Sequence, residues 1–129
     1  MLTLALLSTA LLFGGMVLYA FGFAAFLFTA LPAETAGPTI RKAFPHFYLF
    51  VIGVALIASV LVWAHDHLAG ALLAGIVVTT IPTRQILMPA INHATDTGQK
   101  RRFAWLHGLS VLITLAHIGL AAWVLARFL

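Results

Sequence analysis

From Met1 to Ala33 not one side chain carries a charge, and Pro32 closes the run. A bilayer core about 30 Å thick needs roughly 20 mostly apolar residues, because a helix rises about 1.5 Å per residue. This run is long enough to cross with residues to spare. It is too long for a signal peptide and lacks the basic segment that opens one. Three further apolar runs follow, so spans are expected at about 2–31, 46–64, 68–88 and 103–126. Pro82 and Arg84 interrupt the third span, and the stretch Gln85 to Asn92, with a second proline, is expected to unwind into a loop. The expected fold is all-α: one transmembrane domain over residues 1–129, built as a polytopic four-helix bundle.

Composition then narrows the chemistry. The chain has seven Lys and Arg against three Asp and Glu, with 63% hydrophobic residues. An average soluble domain carries roughly 25% charged residues. A soluble fold of this size could not hide so much apolar surface. The absence of Cys excludes disulfides, thiolate metal sites and a Cys nucleophile. Three carboxylates in total weigh against an acidic metal cage or a paired-acid hydrolase. The pI near 10.4 is read as topology rather than as a nucleic-acid footprint, so no nucleic-acid partner is expected.

The cations set that topology. Arg41 and Lys42 lie in the first connection, and Arg84, Lys100, Arg101 and Arg102 at the end of span three and in the third connection. Only Arg127 lies on the other side. By the positive-inside rule the first and third connections face the cytoplasm and both termini face outward, as in a multi-pass protein of the bacterial inner membrane. Trp105 and Trp123, 18 residues apart, suit opposite edges of an aromatic belt.

Two stripes bear on packing and function. Ser8, Gly15, Gly22 and Thr29 recur every seven residues and are expected to form a helix-packing seam, or else a ligand groove. In span four His107, Ser110, Thr114, His117 and Ala121 share one side, with the two tryptophans opposite, so this polar stripe is expected to face the bundle interior. It serves either interhelical hydrogen bonding or a cofactor. His107 and His117 stand about 15 Å apart along the axis and cannot share one metal ion. His46 follows a basic cluster and a Phe, as His107 does, and is the natural partner for it on a haem iron or a transition metal. His65 and His67 flank Asp66 in the tight outer turn and are candidate ligands for zinc or copper, or simply polar turn residues. Arg84 either snorkels to the cytoplasmic interface or pairs with a carbonyl freed by Pro82. Asp96 is expected to pair with Arg101 or Arg102.

The longer motifs are Gly14-Gly15 with the run to Phe28, Leu31-Pro32 with Gly37, and Phe44-Pro45 with Phe47-Tyr48. The second half adds Arg84 with Leu87-Met88-Pro89 and Asn92, then Phe103 followed by Leu106-His107-Gly108-Leu109-Ser110. Across nearly the whole chain this pattern resembles the transmembrane-protein-205-like group, also described as a domain of unknown function. The third connection is shorter here than in animal members, so roles resting on it do not carry over. The resemblance implies a small polytopic membrane protein with no established reaction, substrate or cofactor. Some relatives are associated with tolerance of metal-containing drugs, which keeps a metal-handling or transport role open. A looser likeness links the chain to four-helix bundles that bind haem or copper through intramembrane His, by fold analogy alone.

Three functions follow for testing. The first is a non-catalytic accessory subunit or small binding protein, with the bilayer, other membrane subunits or further copies of itself as partners. The second is a haem- or metal-binding redox protein using His107, His46 or His117. The third is an oligomeric transporter or channel for a small solute or metal ion, lined by Ser110, Thr114 and His117. A Ser-His-Asp hydrolase is excluded by placement, since Asp66 and His107 lie at opposite interfaces.

Overall fold

In hydrocarbon every backbone N–H and C=O must be satisfied within the chain, so each apolar run has little choice but to become a helix. The computed structural model describes residues 1–129 and contains four long helices. They are α1 (Leu2–Ala30), α2 (Ala33–Trp63), α3 (His67–Asp96) and α4 (Lys100–Ala126). All four are long and apolar enough to cross a membrane. Short connections alternate their direction. Both termini and the 64–66 turn therefore share one end, here the terminal end. The connections after α1 and α3 share the other, here the basic end.

Each helix packs against two neighbours, in the order α1, α2, α3, α4 and back to α1. The α2–α3 pair is the most intimate. At Gly70 an added Cβ would lie 2.9 Å from the Trp63 backbone, so only glycine permits that approach. The Ser59 hydroxyl donates to the Gly70 carbonyl across the same contact at 2.8 Å. Small residues let helices close in lipid, where the hydrophobic effect no longer drives them together. The core accordingly alternates Ala5, Ala55, Ala58, Ala69 and Ala121 with Leu12, Met16, Val51, Leu73 and Ile76.

Two helices contain a widened, π-type turn: Leu18–Phe23 in α1 and Thr83–Leu87 in α3. The second corrects an expectation. Pro82 and Pro89 do not end the helix, and Gln85 to Asn92 does not unwind; α3 continues to Asp96. The widened turn absorbs the proline pair. The hydroxyls of Thr79, Thr80 and Thr83 also donate to the carbonyls of Gly75, Ile76 and Thr79 at 2.6–2.7 Å, in the turns just before and around Pro82. Likewise α2 starts at Ala33 and runs through Pro38 and Pro45, so the first connection is only Leu31 and Pro32. The third is Thr97 to Gln99, with Gly98 at φ +69° making the turn.

Two ion pairs latch the ends. At the basic end Arg41 grips Asp96 with both terminal nitrogens, at 2.6 and 2.9 Å, tying α2 to α3. Arg101 and Arg102, expected as the partners of Asp96, are instead exposed on the first turn of α4. At the terminal end Arg127 pairs with Asp66 and lies over the Trp123 ring, 4.6 Å from its centroid.

Candidate functional site

The buried polar side chains are Thr9, Ser59, Thr80, Thr83, Ser110 and His117, four of them on α3 and α4. His117 is buried, and its Nε2 lies 2.8 Å from the Thr79 hydroxyl oxygen. The Thr79 hydroxyl has one proton, and it donates that to the Gly75 carbonyl at 2.7 Å. The imidazole therefore donates from Nε2–H, an assignment made from the hydrogen-bond pattern. The ring makes no second hydrogen bond, which leaves Nδ1 as an acceptor. Ser110 is buried but turns back to its own helix, donating to the His107 carbonyl at 2.7 Å. Thr114 is half-buried between them. Of the α3 threonines, Thr79 reaches this stripe through His117, while Thr80 and Thr83 are buried and bond back to their own helix. Sequence reasoning passed over them, although three threonines within five positions of one apolar span were a visible signal.

His107, the first member of the stripe, is exposed and stacks on Phe103, with ring centroids 5.3 Å apart and planes within 7°. His46 is exposed near the basic end of α2. Helices α2 and α4 are diagonal rather than adjacent, so the fold does not pair His46 with His107 through a helix contact. His65 is exposed in the turn, while His67 begins α3 and stands edge-on to Trp63 at 5.3 Å. Nowhere do three or more His, Asp or Glu side chains converge into a metal-holding group.

The seven-residue stripe of α1 divides. Ser8 is half-buried, and Gly15 faces the Phe50 ring, whose edge lies 2.4 Å from where a Cβ would sit. Gly22 and Thr29 lie on the outer surface. A heptad drifts by about 20° per repeat on a straight helix, and the widened turn at Leu18–Phe23 intervenes as well. The buried face of α1 is Ala5, Thr9, Leu12 and Met16, continued by Leu27.

Both widened turns aim a polar side chain at the same stretch of α2. Tyr19 donates its hydroxyl to the Ala43 carbonyl at 2.8 Å, within an aromatic group of Phe23, Phe44, Phe47 and Tyr48. Arg84 donates Nε–H to the Pro45 carbonyl at 3.2 Å and a terminal N–H to Gln85 Oε1 at 2.6 Å. No carboxylate pairs with it. The carbonyl that Arg84 bonds thus belongs to Pro45 on α2 rather than to the turn before Pro82, and a contact between a side chain and another helix's backbone leaves no trace in sequence spacing.

At the terminal end Asp66 does two jobs. It caps α3 by accepting from the Ala69 N–H at 3.1 Å, and it holds Arg127. The Arg127 guanidinium first, and the Ala69 N–H second, hold its carboxyl below the usual carboxylate range. Around this clasp lies a hollow of about 250 Å³ lined by Leu2, Val62, His65, Asp66, Val124 and Arg127. A second, open hollow of about 410 Å³ lies on α4 alone, against Trp105, Gly108, Leu109 and Leu112. Every fully enclosed side-chain nitrogen and oxygen has a hydrogen-bond partner, and the unpartnered His117 Nδ1 is not among them.

No curated protein and no solved structure matches the chain. Nothing found ties it to the transmembrane-protein-205 name. A family model does match residues 7–100, from α1 to the first residue of α4. The chain is thus a four-helix membrane protein that belongs to the family described as Domain of unknown function (DUF4149).

Proposed function

We propose that the chain is a small non-catalytic packing subunit of a larger membrane assembly, seated in the bacterial inner membrane with both termini outward. The observation that carries this is how little of α1 the bundle covers. Only 17% of its most apolar stretch is buried, against 39% for α2 and 28% for α3 and α4. The uncovered side has a regular pattern. Leu4, Leu7, Leu11 and Gly14 before the widened turn, and Leu18, Phe21, Ala25 and Phe28 within and beyond it, each alternate three-four spacing, and all are exposed. That is the spacing by which one helix seats its side chains between those of another. Gly14 sits mid-stripe with nothing within 4 Å of its Cβ position, a notch where a second helix can approach. The resemblance to the transmembrane-protein-205-like group suits this reading, since it implies a small polytopic protein without an established reaction.

The chain has no Cys, so a single introduced thiol reports without background. Leu11→Cys and Leu18→Cys, cross-linked in native membranes, are expected to give adducts heavier than the 13.9 kDa chain. A thiol on the exposed face of α3, at Val78→Cys, is expected to give less. Uncross-linked monomer at both α1 positions would overturn the proposal.

A further inference from the structure

Arg84 is a cation at the membrane face without an acid, and its depth can be read from the tryptophans. Trp105 and Trp123 stand 18 residues apart on α4, about 27 Å of helix, close to the thickness of a bilayer core. On α2, Pro45 stands the same 18 residues from Trp63. Trp63 and Trp123 lie at the terminal end, so Pro45 and Trp105 fall at the opposite interface. Arg84 bonds to the Pro45 carbonyl and shares that level.

A guanidinium has five N–H groups. Two are occupied here, by Pro45 and Gln85. Three remain, on the two terminal nitrogens, and the side chain is only partly covered. On α2 Lys42 lies three positions before Pro45, on a neighbouring part of the helix surface, and His46 lies four positions beyond Lys42; both are exposed. The nearest acid along α3, Asp96, is held by Arg41. The α2–α3 groove at this level is therefore positive and uncompensated, with a preset guanidinium fork that suits two oxygens of one anion.

We propose that this groove binds a phosphate group, and that its source is an anionic phospholipid of the leaflet at the basic end. Arg84 grips the phosphate through its free fork. Lys42 adds charge from the headgroup side, and His46 borders the site. The acyl chains then lie along the exposed apolar positions Leu49 and Ile86. The carbonyl bond and the Gln85 contact position the fork in advance, so little side-chain freedom is lost on binding.

Native mass spectrometry of the purified full chain tests this, with dioleoylphosphatidylglycerol, dioleoylphosphatidylcholine and inorganic phosphate as the probes. Phosphatidylglycerol is expected to be retained about tenfold more than phosphatidylcholine, with Arg84→Gln reducing it to the phosphatidylcholine level. Arg84→Lys keeps the charge but loses the fork, and is expected to lower retention about threefold; it also decides the matter if Arg84→Gln does not fold. Arg101→Gln, in the remote basic cluster, is expected to leave retention unchanged. Three results would each overturn the proposal. They are undiminished retention in both Arg84 variants, an equal loss in Arg101→Gln, and equal retention of the zwitterionic lipid. Displacement of the lipid by equimolar inorganic phosphate would assign the site to a soluble phosphate compound instead.

Discussion

The two halves of the bundle solve the same packing problem differently. Toward the terminal end, helices meet through Ala5, Ala55, Ala58, Ser59, Ala69 and Gly70, and α2 and α3 come close enough for backbone contact. Toward the basic end, both π turns and all five prolines occur, and the rings of Phe44, Phe47, Tyr48 and Tyr19 pack against one another. Small residues produce intimacy that cannot be repacked, because a backbone has nowhere to move. Ring-to-ring contacts can be repacked more readily, because side chains turn. The first half is suited to holding shape and the second to presenting side chains such as Arg84.

The largest test of this contrast is Gly70→Val. Its Cβ would strike the Trp63 backbone at 2.9 Å, and overpacking of this kind is expected to cost about 3 kcal/mol, read as a lower midpoint of denaturant unfolding in detergent. Gly75→Ala, with open space at its Cβ, is expected to shift that midpoint hardly at all. If both behave alike, the close contact is not what stabilises the terminal half. Phe47→Ala comes next. The ring is 1% exposed and central to the aromatic group, yet lipid takes away most of the transfer term, so about 2 kcal/mol is expected. A cost above that of Gly70→Val would reverse the ranking of the two halves.

A double-mutant cycle on Thr79→Val and His117→Phe is expected to give a coupling of about 0.6 kcal/mol, typical of hydrogen bonds between membrane helices. Zero coupling would mean that the buried imidazole finds another partner. The smallest effect concerns the terminal clasp. The Asp66 carboxyl is held below its ordinary range, so its contribution is complete above the unfolded value near 4 and fades as pH falls through the folded one. Amide protection factors at Arg127 and Phe128, each referred to the intrinsic exchange rate at that pH, should therefore be higher at pH 7 than near pH 3. Asp66→Asn should remove that pH dependence, and a retained dependence would place the titrating group elsewhere.

How much of this was legible in the sequence follows from the same physics. Four uncharged runs give four helices because lipid leaves the backbone no alternative. The expectation failed at Pro82 and Pro89, which were read by the rules of water, where an unwound turn finds solvent. Here the threonine hydroxyls and a widened turn keep α3 whole. The pairing of Asp96 with Arg41 was missed because it joins positions far apart in sequence, whereas Arg101 and Arg102 were merely near. His107 and His117 looked equivalent on a helical wheel, but only His117 has a neighbouring helix close enough to cover it. Stripes are visible in sequence; which part of a stripe is covered depends on where the neighbouring helices cross.

The latches described above carry a further meaning for assembly. Arg41–Asp96 joins α2 to α3, and Asp66–Arg127 joins their turn to the end of α4. No ion pair reaches α1, whose only side-chain hydrogen bond to another helix is Tyr19 to Ala43. By polar contacts α1 is thus the least fastened of the four helices, while the other three lock to one another. Neither latch need open for α1 to shift against the other three helices, so the ends of the bundle can stay clasped while its first helix changes neighbours.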